Sequence, residues 1–97
     1  MIDLNNKELS TVKNILKEII PELEVIAFGS RVRDDATEFS DLDLAIKSKE
    51  PLTLSILQRL NEAFENSELN FIVDIVDYNN ISDSFRSIID ENYEVIQ

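Results

Sequence analysis

Gly29 is the only glycine among 97 residues, so only one position lets the backbone approach a neighbour unhindered by a Cβ. It opens the run Gly29-Ser30-Arg31-Val32-Arg33. A backbone without a Cβ can come close to a bulky anion such as phosphate. Eleven and thirteen residues after Ser30 stand two carboxylates, Asp41 and Asp43, with Leu42 between them. Just before the glycine, Val25, Ile26, Ala27 and Phe28 form the continuous apolar run of a central strand over Glu24 to Phe28. A short helix starting at Gly29-Ser30 would turn its free N–H groups outward.

The rest of the chain alternates between helical and strand patterns. Asn5 and Glu8 predict a capping box, and Leu9, Val12, Leu16, Ile19 and Ile20 make a helical stripe that Pro21 ends. Leu42, Leu44 and Ile46 alternate with Asp41, Asp43 and Ala45, the period of a strand with one buried face. Thr53 caps a second long helix carrying Leu54, Leu57, Leu60 and Phe64. Asn70 to Tyr78 reads as a strand, and Ser82 to Glu91 as a helix with Phe85, Ile88 and Ile89 inward. Tyr93 to Ile96 adds a short terminal strand. The order α-β-β-α-β-α-β predicts one α/β (α+β) domain over residues 1–97, a small mixed sheet with helices packed on one side.

Strand parity selects a third carboxylate. Asp41 and Asp43 are two residues apart and point to one face, opposite Leu42, Leu44 and Ile46. In the later strand Asp77 shares the buried side with Phe71, Val73 and Ile75, whereas Asp74 lies opposite them. If these two strands pair, Asp41, Asp43 and Asp74 converge on one open surface. Three such carboxylates repel one another and raise each other's pKa values unless a cation joins them. Two metals roughly 4 Å apart can activate an attacking oxygen and stabilise a leaving one in phosphoryl displacement. Donors for the phosphates come from Ser30, Arg31 and Arg33. Each feature alone is common: an Asp-x-Asp strand is usually a solvated face, and Gly-Ser is usually a turn. Their combination at this spacing arises in roughly one chain per thousand of this length.

The absences narrow the chemistry. With no cysteine and no histidine, thiolate and imidazole ligands, disulfides and serine–histidine triads are excluded. Metal chemistry must use oxygen ligands, which points to Mg²⁺ or Mn²⁺. The net charge of −11 opposes direct nucleic-acid binding and suits a soluble cytoplasmic protein or one that docks on a basic partner. No apolar run approaches the roughly 20 residues of a membrane span, and no secretion signal precedes the first helix.

Gly29-Ser30, ten residues, then Asp41-Leu42-Asp43 resembles the signature of the minimal nucleotidyltransferases, a small branch of the DNA polymerase β superfamily. The apolar strand before Gly29, Ser40 before Asp41 and the later Val73-Asp74-Ile75-Val76-Asp77 fit the same pattern. The resemblance runs from about residue 9 to the C-terminus and implies a polymerase β palm-like core. It implies that Gly29 and Ser30 hold the β- and γ-phosphates of ATP, and that Asp41 and Asp43 ligate two Mg²⁺ ions. Asp74 would bind the catalytic ion and help deprotonate the acceptor hydroxyl. Asp34 departs from the family, where many relatives carry glycine in an Arg-x-Arg-Gly turn.

Larger members of the superfamily carry further domains that hold the acceptor, for which 97 residues leave no room. Ile72 and Val76, beside Asp74, would be poorly covered and predict a partner surface. Family members resembling this chain are commonly paired with a small helical HEPN (higher eukaryotes and prokaryotes nucleotide-binding) protein. The resemblance therefore implies a hetero-oligomer and an antitoxin of type VII character that transfers AMP from ATP to a tyrosine of the toxin. Two alternatives stand beside it: transfer to a small-molecule hydroxyl held by the helical subunit, and neutralisation by binding without catalysis.

Overall fold

The computed structural model describes residues 2–97. The first helix, α1 (Asn6–Ile19), begins at the capping box: the Asn5 side chain accepts the Glu8 N–H at 2.8 Å, and the Glu8 carboxylate accepts the Asn5 N–H at 3.0 Å. Val12 and Leu16 on its inner stripe are fully buried, and Pro21 follows the Ile20 cap because it has no N–H to extend the ladder. Next come β1 (Glu24–Phe28), the four-residue helix α2 (Ser30–Arg33) and β2 (Leu42–Lys47). Then α3 (Leu54–Glu65) starts where the Thr53 hydroxyl accepts the Ile56 N–H. It is followed by β3 (Val73–Asp77), a 3₁₀ turn (Tyr78–Asn80), α4 (Asp83–Glu91) and β4 (Glu94–Val95).

The four strands form one mixed sheet in the order β3-β2-β1-β4. Within it β1 runs antiparallel to both β2 and β4, while β2 and β3 are parallel. The apolar run of β1 thus occupies an inner strand, as its lack of alternation predicts. Strand parity divides the sheet into two faces. Val25, Ala27, Leu42, Leu44 and Ile46 turn to the face covered by α1 and α3, where Val12, Leu16, Leu60 and Phe64 complete the main core.

Ile26 and Ala45 turn the other way and are also fully buried. Sequence pattern predicts helices on one side only, which holds for α1 and α3. Helix α4 differs by packing on the opposite face, where Ile89 and Phe85 cover Ile26, Ala45 and Val76. The apolar pair Ile26 and Ala45 demands that cover, because leaving it open would expose a greasy strip beside polar strand ends. Ile88 also departs from its expected inward position and is 61% exposed. The buried line of α4 is the i, i+4 pair Phe85–Ile89, and Ile88 lies about 100° around the helix from Ile89. Strands β3 and β4 are shorter than their apolar runs suggest, and pairing of β3 opens with the Leu42 N–H donating to the Ile72 carbonyl at 2.9 Å. No helix among the described residues is long and apolar enough to cross a membrane.

Candidate active site

Gly29 leaves β1 and caps α2 with φ 83° and ψ −157°, a backbone state essentially restricted to glycine. Close packing excludes a side chain independently. A Cβ at this position would overlap Asp43 Oδ2 and lie 3.2 Å from Asp43 Cγ. The sharp turn lets the first turn of α2 close on the glycine carbonyl, which accepts the N–H groups of Val32 and Arg33. At the far end of α2, Asp34 adopts a left-handed conformation, φ 66° and ψ 21°, and its N–H donates to the Ser30 carbonyl. Aspartate tolerates this region better than most residues, so a left-handed turn closes α2 without a glycine.

The two strands carrying the carboxylates are adjacent and parallel, and Asp43 and Asp74 are direct register partners, on strands spaced about 4.8 Å apart. Asp41 enters on the same face, one residue before β2. All three line one open cleft of about 860 Å³ together with Gly29, Ser30, Arg33 and Ser40. Asp41 and Asp74 are exposed, and Asp43 between them is half-buried. Burial raises the Asp43 pKa above the ordinary carboxylate value; the charges of Asp74 and Asp41 raise it further, and only Arg33 opposes the shift. Phe28 and Phe85 meet edge to face at 5.8 Å and, with Val76, make the apolar wall of the cleft.

The donor set fits a hard divalent cation: carboxylate oxygens only, on one surface, with the central group destabilised by its like-charged neighbours. Among the described residues no three acidic side chains stand close enough together to hold a metal ion by themselves. An open carboxylate surface suits magnesium, which is typically held by one or two carboxylates and completed by water and substrate phosphates.

Arg31 requires a correction. It was expected beside Arg33 as a phosphate donor, but it is 3% exposed and lies outside the cleft lining. Its Nε donates to the Ser40 carbonyl at 2.9 Å, Nη1 to the Asp3 carbonyl at 2.8 Å and Nη2 to the Glu38 carbonyl at 2.9 Å. The guanidinium also stacks 4.1 Å from the Phe71 ring centroid. Arg31 and Arg33 stand two residues apart and so point about 200° apart on the helix, which brings Arg33 to the cleft and turns Arg31 inward. Asp77 lies with the buried set, as parity predicts: its carboxylate accepts the Leu52 N–H at 3.0 Å and the Asn79 N–H at 3.1 Å. Sequence reasoning missed Phe39, Phe85 and Ile88 as cleft residues. Phe39 carried a signal, since it lies two residues before Asp41 and shares the two-residue spacing of the carboxylates.

Residues 9–96 match the nucleotidyltransferase domain family. The chain is 48% identical over 96 residues to a probable protein adenylyltransferase, MntA, of Haemophilus influenzae, covering 99% of this chain and 84% of that protein. It is 34% identical over 86 residues to a putative protein adenylyltransferase of Methanocaldococcus jannaschii, covering 81% and 87% of the two chains. In fold it is similar to a toxin–antitoxin crystal structure with AMP-PNP, with TM-score 0.77 and 22% identity over 92% of this chain and 72% of the other. A complex of a tri-AMPylated Shewanella oneidensis HEPN toxin with its MNT antitoxin gives TM-score 0.66 at 22% identity, over 92% and 71%. At that identity the two structures speak for the fold.

Proposed function

The chain belongs to the nucleotidyltransferase domain family, and from that premise we propose that it is a magnesium-dependent adenylyltransferase acting on a HEPN partner. The reading is carried by one observation: Asp41, Asp43 and Asp74 share a cleft with the Gly29-Ser30 turn. ATP is the donor and a tyrosine hydroxyl of the partner toxin is the acceptor, so the protein acts as a cytoplasmic antitoxin. The adenylyltransferase relative at 48% identity and the AMPylated HEPN toxin bound to an antitoxin of this fold support the acceptor assignment.

The side chains divide the work by position across the sheet. Ser30 and Arg33, on the β1 side, bind the β- and γ-phosphates, with Gly29 allowing their close approach. Asp74, on the outermost strand, faces the side from which an acceptor can enter and takes the hydroxyl proton. The acceptor oxygen forms a bond to the α-phosphorus, the bond from that phosphorus to the bridging oxygen breaks, and pyrophosphate leaves. Two magnesium ions held by Asp41, Asp43 and Asp74 would supply charge neutralisation at both the entering and leaving oxygens. Two exposed apolar side chains line the cleft with the carboxylates, Phe39 at 65% and Ile88 at 61%, and Ile72, two residues before Asp74, is exposed as well. They form a surface that a partner covers, and the charge of −11 matches a basic one.

The test is incubation with labelled ATP, Mg²⁺ and the HEPN partner, followed by separation of the proteins. Label on the partner, removed by Asp43→Asn, is the expected result. Label on a small molecule would support the alternative acceptor, and neutralisation without any transfer would overturn the enzymatic reading.

A further inference from the structure

Arg31 sits immediately after the phosphate turn, yet its guanidinium is directed into the protein. A buried guanidinium is costly unless its donors are met, and here they are met by main-chain carbonyls from separate stretches of chain. Asp3 lies before α1; Glu38 and Ser40 lie in the loop that delivers Asp41; the stacked Phe71 lies in the segment that delivers Asp74. The Asp3 N–H returns the contact by donating to the Arg31 carbonyl at 2.7 Å. One side chain therefore fastens the phosphate turn to both segments that carry the outer carboxylates. The 37–40 loop has little else to hold it: Thr37 and Ser40 bond each other, and residues 37–39 are otherwise mostly open to solvent.

We infer that Arg31 is a positioning residue that holds Asp41, and through Phe71 the start of β3, in place relative to Gly29-Ser30 without touching substrate. The inference rests on the proposed role of Asp41 as a magnesium ligand. It assigns Arg31 to the cation side of the reaction, not to nucleotide binding. Losing the clamp frees the Asp41 loop while leaving Ser30 and Arg33 in place.

The test uses the full chain with Arg31→Met, which keeps length without donors, and Arg31→Lys, which restores charge but not the three-way fork. Hydrogen exchange is followed at residues 36–41 and in β1 and β2, and AMP transfer is titrated with Mg²⁺ and with ATP. For Arg31→Met, exchange at 36–41 should accelerate selectively, and the Mg²⁺ midpoint should rise about 10-fold or more, the usual cost of losing a ligand's supporting contact. KM for ATP should stay unchanged, and Arg31→Lys should fall between. Uniformly faster exchange with an unmoved Mg²⁺ midpoint would mean a merely structural arginine and overturn the inference. Should Arg31→Met fail to fold, Phe71→Leu removes only the stacking; it should shift both readouts in the same direction by less, and unchanged readouts overturn the inference. The exchange measurement stands without activity, so a chain that transfers no AMP refutes the catalytic reading while the loop-holding role is still decided.

Discussion

Replacing Gly29 by alanine tests the geometry of the site most severely with one methyl group. The backbone at φ 83° and ψ −157° costs an alanine about 1–3 kcal/mol. The new Cβ also overlaps Asp43 Oδ2, and relieving such overpacking costs a further ~1–3 kcal/mol if the carboxylate stays in place. A loss of about 2–6 kcal/mol is a large share of the roughly 5–15 kcal/mol that stabilises a domain of this size. If Asp43 rotates away instead, the stability loss shrinks to the backbone part, and a displacement near 1 Å lowers transfer about 100-fold. Urea denaturation and AMP transfer, measured on Gly29→Ala, Asp43→Ala and the double variant, separate the two components. The double variant should recover the overlap component, giving a coupling of about 1 kcal/mol or more. Wild-type stability and wild-type transfer in Gly29→Ala would refute both the conformational and the packing argument.

Asp43→Asn should raise thermal stability at neutral pH while abolishing transfer. The folded-state pKa of Asp43 is raised, so the wild type loses stability as pH rises through that pKa, and the advantage of the variant must fade toward acid; an advantage that grows in acid contradicts the assignment. Asp34→Gly relieves a left-handed aspartate and removes a negative charge near the phosphates. Stability should change by under about 1 kcal/mol, and calorimetry should show tighter nucleotide binding; weaker binding would contradict it. Asp77→Ala removes the acceptor of the Leu52 and Asn79 N–H groups, costing about 1–3 kcal/mol in urea melts while transfer by the folded protein persists. Loss of transfer at full stability would mean that the wrong aspartate was placed in the site.

Local pattern carried much of this architecture. The Asn5–Glu8 box and the Thr53 cap depend on residues within one turn and occur as their spacing predicts; along β2, Leu42, Leu44 and Ile46 are buried as the alternation predicts, whereas Ala45 on the opposite face is buried too. The shared face of Asp43 and Asp74 was legible because a strand has a period of two and the buried partners were unmistakable. Three features depend on contacts distant in sequence and could not be read in that way. Arg31 meets Asp3, 28 residues away, and stacks on Phe71; in sequence it is indistinguishable from Arg33. The face chosen by α4 is set by Ile26 and Ala45, whose burial on the second side of the sheet is invisible in a continuous apolar run. The pairing of β4 with β1 joins segments far apart in sequence, with Ile26 opposite Val95, and no local signal encodes it.

Diffraction from crystals soaked with Mn²⁺ and a non-hydrolysable ATP analogue, read at the manganese absorption edge, locates the cations without assuming any chemistry. Asp41, Asp43 and Asp74 should surround the anomalous peaks, with the triphosphate lying between them and Ser30. Manganese bound elsewhere, or a nucleotide seated away from Gly29-Ser30, would contradict the account.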